Sequence, residues 1–136
     1  MKLNKESENT QINPYIFAGL SENNPSTILL YISELMGTTS ERVRSKSRLQ
    51  NDVMSRYLYI MIMRLKGSRL ANAASFVNRD RTTSIYAMKK IVSWYDTEIH
   101  TKKLINKLID DYKLHKSFEE NFRYLHIEFK RGEKKI

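Results

Sequence analysis

A chain of 136 residues with 40% hydrophobic side chains can bury one core but not a second of ordinary size, and four Gly and two Pro are too few for the many turns of a sandwich or barrel. The absence of cysteine excludes disulfides, thiolate metal sites and cysteine nucleophiles. The net charge of +9 is concentrated: residues 41–94 carry twelve Lys or Arg against three acids, whereas residues 1–40 sum to −2 and residues 95–136 to +2. Such a surplus suits phosphate neutralisation with counterion release, although a solvated basic face has the same composition.

Residues 1–24 are rich in Asn, Glu, Ser and Lys without a sustained period and read as a flexible arm, with one apolar island, Tyr15-Ile16-Phe17-Ala18-Gly19-Leu20, suited to docking on the domain. The arm has no apolar signal-peptide region. The longest apolar stretch, Tyr57 to Met63, is far too short for a bilayer, so a soluble, cytoplasmic protein with no membrane partner is expected. Asn24 as cap and Pro25 at the first helical position start a helix through Ile28, Leu29, Ile32, Leu35 and Met36, which Gly37 stops. Thr38 and Glu41 have capping-box spacing and predict a short helix or turn at 39–45. Arg42, Arg44, Lys46 and Arg48 then alternate with little that is apolar, which reads as a basic exposed loop.

From Val53 to Lys66 the chain is apolar nearly all round, the mark of a central helix, stopped by Gly67. Ser68 is placed to cap a shorter helix with Leu70, Ala71, Ala73, Ala74 and Phe76 inward, and its small residues permit a close crossing. After a break at Val77-Asn78, Asp80 is placed to cap a helix carrying Ile85, Met88, Val92 and Tyr95 at spacings of three and four. A further helix bears Leu104, Ile105, Leu108, Ile109 and Tyr112 on one face. Phe118, Phe122, Leu125 and Phe129 fit a helix over 117–129, although Leu125, Ile127 and Phe129 also alternate as a strand would. The organisation expected is an arm over 1–24, an all-α domain of about five to six helices over 25–113, and a helical extension over 114–136.

Two helices joined by about four residues, the second opening with polar and basic side chains, form the helix-turn-helix pattern, in which the second helix enters the major groove of double-stranded DNA. Arg79, Arg81, Thr82 and Thr83 stand where base and phosphate contacts are made. Arg can fork onto guanine, Thr can meet a base or the thymine methyl, and Asp80 can accept from cytosine unless capping occupies it. Arg44, Lys46, Arg48, Arg69 and Lys89 are candidate backbone contacts.

The segment Phe76-Val77-Asn78-Arg79-Asp80-Arg81-Thr82-Thr83-Ser84-Ile85-Tyr86-Ala87, followed by Lys89-Lys90-Ile91, resembles the signature of the C-terminal DNA-binding domain of the bacterial chromosomal replication initiator DnaA, which reads Phe-Gly-Gly-Arg-Asp-His-Thr-Thr-Val-Leu-His-Ala. A weaker likeness in element order runs from about Ser26 to Tyr112. The resemblance implies a Trp-repressor-like all-α fold, nucleoid association, and sequence-specific duplex binding in replication initiation or transcription regulation. By it Arg79, Asp80, Thr82 and Thr83 carry over directly, Arg81 replaces a His with a longer, permanently charged fork, and Arg56 is the nearest match to an arginine that enters the minor groove. Val77-Asn78 replaces a Gly pair, so only Asn78 readily turns left-handed. No phosphate-cradling Gly-x-x-x-x-Gly-Lys-Ser/Thr loop is present, so the family's ATPase is not expected within this chain.

His100, His115 and His126 share no metal-binding spacing, and Asp110-Asp111 and Glu119-Glu120 are neighbours that diverge by about 100° on a helix. No catalytic role, metal or cofactor is therefore expected. Two other readings of the same pattern are a protein-interaction module that regulates a replication or transcription complex, and a nonspecific nucleic-acid or RNA binder led by Arg44, Lys46 and Arg48. Homo-oligomerisation, docking of replication or transcription proteins, and plain covering of the core are the roles open to the C-terminal helices.

Overall fold

The computed structural model describes residues 24–120, and they are helical without a strand among them. Six helices are bounded within that range: α1 Pro25–Leu35, α2 Ser40–Arg44, α3 Gln50–Leu65, α4 Leu70–Ser75, α5 Arg81–Thr97 and α6 Ile99–Asp111. Residues 115–120 are also helical. The expected arm up to residue 23 and the expected helix beyond residue 120 lie outside the described residues.

The helix ends follow local chemistry. Asn24 caps α1 by accepting from the amides of Ser26 and Thr27, with Pro25 in the first turn, where its missing N–H has no intrahelical duty. Four helices stop in the same way. Gly37, Gly67, Asn78 and Lys113 have positive φ, and each is followed by an amide that reaches back five residues: Thr38 to Ser33, Ser68 to Met63, Arg79 to Ala74 and Leu114 to Ile109. That pairing uses carbonyls the helix would otherwise leave unpaired. Two of these positions are not glycine. Asn tolerates the left-handed region well, so Asn78 replaces glycine at little strain, as its turn chemistry suggests.

Three local expectations are corrected. Thr39, not Thr38, caps α2 by accepting from the Arg42 amide, because the Thr38 hydroxyl donates to Asp52 instead. The basic stretch is a loop only from Ser45 to Leu49, since Arg42 and Arg44 belong to α2 and Val43 is fully buried. Ser68 does not cap α4, whose cap residue is Arg69 with no side-chain bond, and Ala71 is exposed rather than inward.

Helix α3 is central. Leu58, Tyr59, Ile60, Met61 and Ile62 are consecutive and essentially without exposure, and α3 touches each of the other five helices. It begins at Gln50, three residues before the apolar run, because its first turn faces the loop rather than the core. Ala73 and Ala74 of α4 and Ala87 of α5 are fully buried, so the two backbones approach closely. At this crossing Ser84, also buried, donates to the Leu70 carbonyl at 2.7 Å. The inward face of α5 is Ser84, Ala87, Met88, Ile91 and Val92, rotated slightly from the expected one, and Ile85 and Tyr95 are only half-buried. Beyond the turn at Lys113, Leu114 and Phe118 pack on the core, with the Phe118 ring 5.2 Å from that of Tyr95. The chain therefore continues onto the domain past residue 113. No described helix is long and apolar enough to cross a membrane.

Candidate nucleic-acid interface

The 45–49 loop contains almost nothing to bury, and polar groups beneath and beside it hold it in place. From below, Asp52 in the first turn of α3 accepts from the hydroxyls of Thr38 and Ser47 and from Arg42, whose Nη2 lies 3.1 Å away. Asp52 is buried, and those donors outweigh its desolvation. The Ser47 and Thr38 hydroxyls, with Arg42 behind them, hold its carboxyl down to about 2.

One turn further along α3, Arg56 is 4% exposed. Its Nε donates to the Val43 carbonyl at 2.9 Å, and its Nη2 donates to those of Ser45 and Ser47 at 3.2 and 3.1 Å. The resemblance gave Arg56 a place in a groove; here its guanidinium is buried and spent on three carbonyls, so in this fold it shapes the loop. Burial, and secondarily the neighbouring charge of Arg79, lower its pKa.

The loop is clasped to the turn between α4 and α5. Arg44 donates from Nε to the Phe76 carbonyl at 2.7 Å, and its guanidinium lies 4.8 Å from the centre of the Phe76 ring. Asn78 returns a bond from Nδ2 to the Arg44 carbonyl at 2.8 Å. Arg79 donates from Nη2 to Ser45 at 2.8 Å and from Nη1 to the carbonyls of Val77 and Asn78 at 3.1 Å. Arg79 is therefore largely spoken for inside the protein, a half-buried residue that ties turn to loop.

The remaining predicted residues fall into two groups. Asp80 is the cap of α5 and accepts from the Thr83 amide at 3.1 Å, so the capping duty occupies it, and Thr83 is half-buried behind it. Arg81 and Thr82 are exposed in the first turn, and Tyr86 and Lys89 continue the exposed face at the fourth and seventh positions after Thr82. Lys46 and Arg48 on the loop and Arg69 before α4 are exposed. Among the described residues the side chains of Lys46, Arg48, Arg69, Arg81 and Lys89 make no hydrogen bond or ion pair.

Between loop, α3 and turn lies an open cleft of about 770 Å³ lined by Arg44, Lys46, Ser47, Arg48, Val53, Arg56, Tyr57, Asn78 and Arg79. Five cations and no carboxylate face it. Sequence reasoning missed Asp52, the one acid between Arg42 and Arg79, and Tyr57, which the all-round apolar pattern of α3 disguised as core. Tyr57 is half-buried; its ring stacks on Trp94 at 5.9 Å and meets Tyr86 edge-on at 6.0 Å. No cluster of three His, Asp or Glu among the described residues could hold a metal. The chain matches no protein-family model, no curated protein and no solved structure.

Proposed function

We propose that this chain binds double-stranded DNA in a sequence-specific manner, with α4 and α5 as a helix-turn-helix and α5 as the reading helix, in replication initiation or transcription regulation. The observation that carries the reading is the start of α5. Arg81 and Thr82 are exposed and unengaged in its first turn, beside a loop whose Lys46 and Arg48 are also uncompensated. The helix N-terminus adds a partial positive charge, so base-edge and phosphate contacts are favoured over the same surface. The likeness of 76–91 to the initiator signature supports the same assignment.

Within this reading Arg81 and Thr82 contact bases, Lys46, Arg48, Arg69 and Lys89 contact phosphates, and Arg56, Arg79 and Asp80 hold the surface in shape. Selection of duplexes from a random pool at two salt concentrations tests it. An enriched motif is expected, with affinity falling with salt at a log–log slope of roughly −4. Arg81→Ala should relax preference at one position by about 1–3 kcal/mol. A pool that returns no motif would refute the reading.

A further inference from the structure

The duplex reading uses the exposed face of α5 and leaves the aromatic wall of the cleft without a task. Val53 and Tyr57 are one turn apart on α3 and form an apolar side to a cavity that otherwise presents cations. The Tyr57 ring is fixed by Trp94 against it and Tyr86 at its edge, so it offers a surface that needs no ordering on binding. Arg44, Arg56 and Arg79 hold their charges in place through backbone carbonyls, and Lys46 and Arg48 retain all their donors. A cleft of about 770 Å³ falls within the range of small-molecule sites and accommodates a nucleotide.

We propose that this cleft binds an unpaired nucleotide of a DNA strand, with its base stacked on Tyr57 and its phosphates held by Lys46 and Arg48. In a duplex, base faces are closed within the stack and only edges and phosphates are offered, so a fixed ring set among cations has no duplex counterpart. An unpaired base presents its face and carries a phosphate on either side, the combination that single-strand sites recognise by stacking and charge. The proposal rests on the nucleic-acid reading of the basic face but not on α5, because Arg81 and Thr82 do not line the cleft.

The test is fluorescence anisotropy of the full chain with a labelled oligothymidylate of about ten nucleotides and with a duplex of the same length. Single-strand binding is expected to fall about tenfold or more in Tyr57→Leu and to survive in Tyr57→Phe. Arg48→Ala should weaken it, and Arg81→Ala should spare it while weakening the duplex. Thymidine monophosphate should displace the strand at lower concentration than pyrophosphate. Because Tyr57→Leu removes a packed ring, photocrosslinking of the wild-type chain to a bromouracil-substituted single strand provides a second measurement, with the crosslink expected on the peptide containing Tyr57. Equal affinity of wild type and Tyr57→Leu, displacement by pyrophosphate as effective as by the nucleotide, or crosslinks confined to α5 would each overturn the proposal. Lack of single-strand binding alongside an enriched duplex motif would overturn it and leave the duplex reading standing.

Discussion

The two ends of the molecule handle charge in opposite ways. At the α1–α6 end, carboxylates are met directly by donors from neighbouring side chains. Lys107 pairs with Asp111 at 3.1 Å, His115 lies 3.0 Å from Asp110, and the Tyr31 hydroxyl also donates to Asp111. At the loop–turn end, Arg44, Arg56 and Arg79 are held by backbone carbonyls and an aromatic ring, and the one carboxylate beneath, Asp52, is buried and pairs with Arg42 and two hydroxyls. A carbonyl orients an arginine without cancelling its charge, whereas a carboxylate does both. The loop–turn end thus keeps a fixed geometry and an uncompensated positive field, the pair of properties a polyanion needs.

The comparison breaks most decisively at Arg56. Arg56→Met keeps the apolar stem and removes three bonds to carbonyls that the loop cannot replace internally, so a loss of about 3 kcal/mol in urea unfolding is expected, with faster proteolysis at 45–49. A variant as stable as wild type would show that the loop is held by something else.

A smaller effect belongs to Asp52. Asp52→Asn should lower stability by about 1–2 kcal/mol at neutral pH, since two hydroxyls and Arg42 lose an ionised acceptor. Its folded pKa is depressed, so the stabilisation is complete above the unfolded value of 3.8 and is lost as pH falls through about 2. The gap between wild type and variant should therefore close across that window in acid unfolding curves. A gap independent of pH would assign the effect to packing rather than charge.

The smallest effect runs the other way and is shared by both ends. The hydroxyls of Tyr59, near the Phe76 ring, and of Tyr112, near Tyr31, are buried without a hydrogen-bond partner, and burial raises both above the usual phenol range. Tyr59→Phe and Tyr112→Phe remove a desolvated group at constant shape and should each raise stability by up to about 1 kcal/mol by thermal melting. Destabilisation by either change would mean that its hydroxyl is satisfied after all.

The elements were readable because their signals are short-range. Asn24, Pro25, Gly37, Gly67, Asn78 and Asp80 act on amides and carbonyls within five residues, and the apolar periods of α1, α5 and α6 and the unbroken apolar run of α3 need only one or two turns to show. The exposure of Lys46, Arg48, Arg81 and Lys89 in the candidate site was visible for the same reason. What misled was any side chain whose partner is distant in sequence. Thr38 looked like a cap until Asp52 claimed it from fourteen residues away. Arg79 was read only as a DNA contact, and the bond of its guanidinium to Ser45, thirty-four residues earlier, was not legible.

By itself the sequence determined that the described residues are helical, where α1, α3 and α4 stop, and that the middle of the chain is basic, because those properties are set by composition and by neighbours along the chain. Only the tertiary structure decided which arginines face outward. A guanidinium is drawn to whichever unpaired carbonyls folding brings near it, and folding brought Arg56 under the loop and left Arg81 at the surface.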